Sequence, residues 1–382
     1  MSTTILRSEN PVFIVGQERS GTTLLMVMLG CHPNLAVPEV TWWYPRFRPY
    51  LYTYGDLGKD ENFRTLASEM IFGLPVPFWG MPENPRTIVG EVVGAVHEKS
   101  FSGIFRAMME RYARHAGNKP RWGEKTPNNI FFVKEILEDF PGAKLICVSR
   151  DGRDACAEFL QSGFGPNNIF CAAECWSLGQ AEATRLAGTL NGNTWLDVRY
   201  EDLVRDPEGI LRRVCGFLKV DYTDAMLRFY EAPIARVRSA QRDHKPLGHP
   251  VSDRYVGVYK ELLSLREQRI YAQVAGKTHI EAGYPLDVEP LVVAEEDARL
   301  YREIDGRIRA ALLDGPGGRI AWESYNDWLA DQREERRKRG VWRDEGNSKL
   351  FPAGHVHEGH IVGERAPRMW KAHFGIKRRY VG

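Results

Sequence analysis

The sequence predicts an α/β fold with a central, mainly parallel sheet flanked by helices, and three observations carry that prediction. Residues 12–15 and 144–149 are short, apolar-rich runs, as expected for strands buried on both faces, and 195–200 reads as a third strand. Each is followed by a glycine-rich or charged turn and then by residues at helical spacing. Parallel strands need such crossover helices, because a tight turn can only join antiparallel neighbours. The chain has 382 residues, enough for one large core. We expect an α/β body over residues 1–290 and a helical and irregular extension over 291–382 packed on it.

The first unit is the most informative. Val12 to Val15 form the strand, Gly16 breaks it, Gly21 allows a tight backbone path, and an apolar helix begins at Thr22. Unpaired amides and the helix dipole at such a loop attract an anion. A nucleoside-triphosphatase loop carries Lys after its second glycine. Here Thr22 holds that place and the positive charge sits earlier, at Arg19. The hydroxyls of Ser20, Thr22 and Thr23 can donate to anionic oxygens. The loop therefore suits a single 5′ anion on a P-loop-like three-layer fold better than a triphosphate with magnesium.

Arg19-Ser20-Gly21-Thr22-Thr23 after a strand resembles the 5′-phosphosulfate loop of the sulfotransferases, whose donor is 3′-phosphoadenosine 5′-phosphosulfate (PAPS). Further along, Thr126 and Pro127 suit the cap and first position of a helix, which puts Lys125 just outside a helix N-terminus. Lys125-Thr126-Pro127 is similar to a recurrent motif of the family whose Lys touches the reacting sulfate. The second strand ends at Arg150-Asp151-Gly152-Arg153, which resembles the segment that grips the 3′-phosphate, with Arg150 in the gripping place. Eight residues on, where the family carries Ser, this chain has Glu158, a carboxylate that repels a phosphate unless it turns away or pairs with Arg153. The third strand leads into Arg199-Tyr200-Glu201-Asp202, whose Tyr200 the resemblance lays against the adenine. Glu201 and Asp202 are expected to satisfy donors at the strand end. Asp206 and Pro207 start the next helix. Beyond residue 230 a basic, serine-containing loop makes Ser239 and Lys245 candidates for the 3′-phosphate.

The four segments occur in the family's order over roughly residues 11–260, and the resemblance is nearest to the bacterial and tyrosyl-protein branch. It implies metal-free, in-line sulfuryl transfer from PAPS to a hydroxyl or amine, leaving adenosine 3′,5′-bisphosphate. Arg19 and the Ser20 to Thr23 segment would hold the 5′-phosphate, and Lys125 the sulfuryl oxygens. The branch places a Glu after the His-Pro that ends the first helix; Glu39 stands there, one residue early, as the candidate base. Glu124 and His97 are reserves.

The remaining stretches are less specific. Residues 42–54 hold Trp42, Trp43, Tyr44, Phe47, Tyr50, Tyr52 and Tyr54, which suit either a loop anchored in the core or an acceptor-site wall with Arg46 and Arg48 at its rim. Residues 73–90 read as a surface excursion, and 96–114 and 255–265 as helices. Leu300, Ile304, Ile308 and Leu312 make an amphipathic helix over 295–313, and 331–339 is a solvated charged face. His355, His357 and His360 lie close together without Cys or carboxylate spacing, and we expect no metal.

The net charge of +2 argues against a nucleic-acid binder, and no run is long enough to span a bilayer. The first residues lack the apolar core of a signal peptide, and the six cysteines have no paired spacing, which suits a reducing, cytoplasmic setting. The expected partner is a small-molecule, carbohydrate or peptide acceptor; a helical cap over the site and a homodimer contact are both open for residues 291–382. Two competing readings stand beside this one. A P-loop phosphotransferase would need the missing lysine, and a catalytically inactive nucleotide-binding scaffold would draw on Glu158 and the displaced Glu39.

Overall fold

A computed structural model describes residues 10–74, 79–81, 84–162, 165–240, 242–314 and 321–343. Five strands form one sheet: β1 (Val12–Gly16), β2 (Leu35–Ala36), β3 (Arg121–Lys125), β4 (Lys144–Ser149) and β5 (Trp195–Arg199). Their spatial order is β2-β3-β1-β4-β5 and every pairing is parallel. Along β1, Phe13 and Val15 enter one hydrophobic cluster while Val12 and Ile14 enter the other. That alternation is the period-two geometry of a strand covered on both faces.

One face is covered by α2 (Trp43–Phe47), α3 (Asp60–Phe72), α4 (Pro85–Ala95), α5 (Phe101–His115) and α6 (Val133–Asp139), which supply most of the first cluster. The other is covered by α1 (Thr22–Gly30), α9 (Tyr200–Arg205) and α10 (Pro207–Leu218). A third cluster joins α7 (Gly152–Gln161), α8 (Ile169–Thr189) and α13 (Leu265–Glu281). The expected three-layer fold is present.

Several elements differ from their sequence expectations. β3 was not expected as a strand, because Arg-Trp-Gly-Glu-Lys lacks β-branched residues; pairing with β1 and β2 imposes extended backbone on it. A Cβ on Gly123 would meet the Val12 carbonyl at 3.0 Å, so glycine lets the two strands approach. The expected helix at 96–114 begins only at Phe101, where the Ser100 side chain accepts from the Gly103 amide. Part of the 73–90 excursion is α4, capped by Asn84. Residues 255–265 hold only the four-residue α12 (Tyr259–Leu262).

The aromatic stretch resolves toward the core. Trp43, Tyr44, Phe47 and Tyr54 are buried, Arg48 pairs with Asp139 at 3.0 Å, and Trp42, Tyr50 and Tyr52 remain half-buried. Tyr50 lies under the Arg333 guanidinium at 3.7 Å, so helix α15 (Ala321–Lys338) covers part of the stretch. The 331–339 run is not wholly solvated: Arg336 is buried and pairs with buried Glu69 at 2.6 Å. On α14 (Glu295–Asp314), Ala298 and Asp305 are buried, and Asn168 donates to the Tyr301 carbonyl at 3.0 Å. The Leu300, Ile304 and Ile308 stripe faces outward. His355, His357 and His360 lie outside the described residues.

Candidate active site

Parallel strands present all their carboxyl ends on one edge, where open α/β sheets bind ligands. β3, β1, β4 and β5 lie side by side, so that edge gathers Lys125, the Gly16–Gly21 turn, Arg150 and Tyr200 from segments far apart in sequence. Arg19, Gly21, Arg150 and Tyr200 meet in a cleft partly open to solvent, and buried Lys125 reaches its wall through Thr23. Arg19, residues 21–24, Arg150, Glu158 and Tyr200 line one side, and residues from the 244–255 segment line the other.

The first turn is held open for an anion. Gly21 precedes α1 with φ +91°, and a Cβ there would stand 2.5 Å from the Tyr200 ring. Arg19 also adopts positive φ, +65°. No side chain caps α1, which leaves the first amides available to a ligand. The buried Ser20 hydroxyl has no hydrogen-bond partner among the described residues. Gln17 fixes the turn from behind by donating to the Cys175 sulfur at 3.2 Å, where Gly179 leaves room for it. Helix dipole, orphaned amides and an unused hydroxyl are the donor set that a phosphate or phosphosulfate needs.

Lys125 projects from the end of β3 and its ammonium donates to Thr23 Oγ1 at 3.3 Å. It is buried, and desolvation draws its pKa below the ordinary lysine value, while the Glu39 charge opposes that fall. Glu124 is spent on structure. Its carboxylate accepts from Thr41 Oγ1 at 3.0 Å, from Asn129 at 2.7 Å and from Thr126, so Thr126 braces the turn rather than capping a helix. Reserve candidate His97 is exposed between α4 and α5.

Glu39 is fully buried and sits on Arg238 of α11 (Pro233–Ser239): Arg238 Nε donates to Oε1 at 2.6 Å and its terminal nitrogen lies against Oε2. Glu158, which lines the cleft, is likewise paired. It receives Arg150 at 2.6 Å and Arg19 at 3.0 Å, whereas Arg153 pairs with Asp151 and Asp287. Neither escape considered for Glu158 is taken: it neither turns away nor uses Arg153. Burial works to raise its pKa, but the charges of Arg150 and Arg19 prevail and hold it below the usual glutamate value.

Tyr200 is buried at the start of α9, beneath the Arg150 guanidinium at 4.4 Å, and desolvation pushes its phenol up to about 12. Glu201 accepts from the Asp151 amide at 2.8 Å and from Tyr284. Ser239 donates to the Arg236 carbonyl at 3.0 Å, and Lys245 is exposed; neither lines the cleft. His249, Ser252 and Arg254 from the same region do.

One residue escaped sequence reading. His244 lines the cleft, and burial together with the charges of Arg19, Arg238 and Lys125 drives its pKa well below 6.5. Its irregular basic loop, which also holds His249, carries no spacing that would single it out; only its position among three cations does.

The chain is similar to known proteins in both sequence and fold. The chain is 25% identical over 259 residues to a protein-tyrosine sulfotransferase of Drosophila melanogaster, covering 64% of this chain and 47% of the relative. It is 26% identical over 262 residues to protein-tyrosine sulfotransferase A of Caenorhabditis elegans, covering 65% and 62%. It thus spans less than two thirds of either relative. The sulfotransferase domain of the Synechococcus PCC 7002 olefin synthase superposes with a TM-score of 0.51 at 21% identity, over 74% of this chain and 97% of that domain. The sulfotransferase domain of the curacin biosynthetic pathway gives 0.51 at 18%, over 74% and 100%. Both share the fold. Residues 11–224 match the model of the sulfotransferase family, and the chain belongs to that family.

Proposed function

We propose that this protein transfers a sulfuryl group from a nucleoside 5′-phosphosulfate, PAPS in the family's usual form, to a hydroxyl or amine of its acceptor. The observation that carries the reading is the contact between buried Lys125 and Thr23 at the uncapped start of α1. It brings a cation without an ion-pair partner among the described residues to the place where the 5′-phosphate and the sulfuryl group would meet.

The acceptor oxygen attacks sulfur in line with the bridging oxygen, forming an O–S bond as the S–O bond to phosphate breaks. Charge accumulates on the leaving phosphate and the sulfuryl oxygens, where the α1 amides and Lys125 would receive it, with Arg19 adding what its pair with Glu158 leaves. The acceptor proton needs a base within reach. His244, kept neutral, has a free lone pair for it; Glu39, committed to Arg238, positions that arginine and tempers the charge around Lys125. Ser20, Thr22 and Thr23 complete the 5′ site, and Tyr200 offers a ring to the base.

The relatives' names make a tyrosine in a peptide the first acceptor to test. All six cysteines are free, and no described helix is long and apolar enough to cross a membrane, which suits a cytoplasmic enzyme. The test is transfer of radiolabelled sulfate from donor to a panel of tyrosine peptides, phenols, sugars and amines. We expect labelled product with wild type and about 10²- to 10³-fold less with Lys125→Ala. Nucleotide binding without labelling of any acceptor class would favour the scaffold reading, to which the neutralised arginines at Glu158 lend support.

A further inference from the structure

Glu158 is the one carboxylate among the described residues lining the cleft, and it changes what the nucleotide end can bind. Its two oxygens hold Arg19 at 3.0 Å and Arg150 at 2.6 Å. Arg150 also donates to the Arg19 carbonyl at 3.0 Å and the Tyr255 carbonyl at 2.7 Å. Both guanidinium groups beside the anion loop thus share their charge with Glu158 before any ligand arrives. About a quarter of the Glu158 side chain, 24%, remains open.

A nucleotide with its 5′-phosphate on the α1 amides and its base against Tyr200 and Leu247 must carry its ribose past this trio. A phosphate dianion set beside Glu158 meets like charge in a partly buried site and must strip an arginine from it. A hydroxyl donates to the carboxylate and disturbs nothing. The same chemistry separates dinucleotide sites that take a ribose hydroxyl on an acidic residue from those that take a phosphate on arginine.

We propose that the donor of this chain is a nucleoside 5′-phosphosulfate with free ribose hydroxyls, held by Glu158, and that a 3′-phosphorylated donor is disfavoured. This rests on the sulfotransferase reading and narrows its donor. Transfer then breaks the same S–O bond, moves the acceptor proton to the base and releases a nucleoside 5′-monophosphate.

Calorimetric titration of the full chain with AMP and with adenosine 3′,5′-bisphosphate tests it. Wild type should bind AMP at least about tenfold more tightly. Glu158→Ser, which frees both arginines, should reverse that order, and Glu158→Gln should narrow it while keeping the side chain's volume. In transfer assays adenosine 5′-phosphosulfate should outperform PAPS. Equal or tighter binding of the bisphosphate by wild type overturns the proposal and would point to Arg254 at the cleft as the phosphate's partner. Failure of both nucleotides to bind overturns the donor-site reading together with it.

Discussion

Two regions beside the anion loop hold the same kinds of group in opposite states. At the transfer end, Lys125 contacts a neutral hydroxyl, and the nearby carboxylate Glu39 has been drawn onto Arg238. At the nucleotide end, Arg19 and Arg150 share Glu158 directly. The first arrangement leaves positive charge available where negative charge develops during transfer. The second cancels much of it where only binding is required. A buried ion pair contributes little net stability, and what it decides here is which charges remain for a ligand.

Removing Lys125 should break the comparison most completely. Lys125→Ala is expected to lower transfer by about 10²- to 10³-fold, with thermal unfolding little changed. If turnover persists, the transfer end is misplaced. His244→Asn should come next, lowering kcat by about 10²-fold while nucleotide affinity measured by calorimetry holds.

The pH profile sharpens the same point. Because burial and three cations hold His244 well below 6.5, wild-type kcat should stay level as pH falls through 6.5 and decline only when the folded histidine protonates. The stability sign follows: below 6.5 the unfolded chain takes up a proton that the folded one resists, so stability falls with pH across that window. The His244→Asn variant should lose both effects.

Glu39→Gln is expected to cost about tenfold in kcat, through Arg238 and Lys125 rather than by loss of the base. Arrest as complete as in Lys125→Ala would instead make Glu39 the proton acceptor, released by Arg238 during turnover. The smallest expected change is Gly21→Ala. Its Cβ would stand 2.5 Å from Tyr200 at φ +91°, which should cost about 2 kcal/mol in denaturant unfolding and weaken the nucleotide site.

Much of the fold was legible because buried parallel strands are dense in apolar residues. β1 and β4 declare themselves in that way, and Asp206-Pro207 announces α10, where the Asp206 side chain accepts from Gly209. β3 stayed hidden, since its strand state comes from its neighbours and not from its own residue types. The α14 stripe misleads for a related reason. Periodicity shows that a helix is two-faced, but not which face meets the body, and here Ala298 and Asp305 turn inward while Leu300 and Ile304 turn out. Of the candidate site, the anion loop could be named from local chemistry, and Lys125, Arg150 and Tyr200 from the motifs in which they resemble the family. His244 could not, and neither could the partners of Glu39, Glu124 and Glu158.

By itself, the sequence determined which chemistry is available: a glycine turn without a Walker lysine, a lysine at a turn, an arginine at a strand end, and a glutamate where a small hydroxyl was expected. Only the tertiary structure decided how those charges pair. Glu39 meets Arg238 across 199 residues and Arg19 meets Glu158 across 139, separations over which no local pattern carries information. Charge pairing depends on distance in space and on burial, and both are set by how the sheet brings four strand ends to one edge.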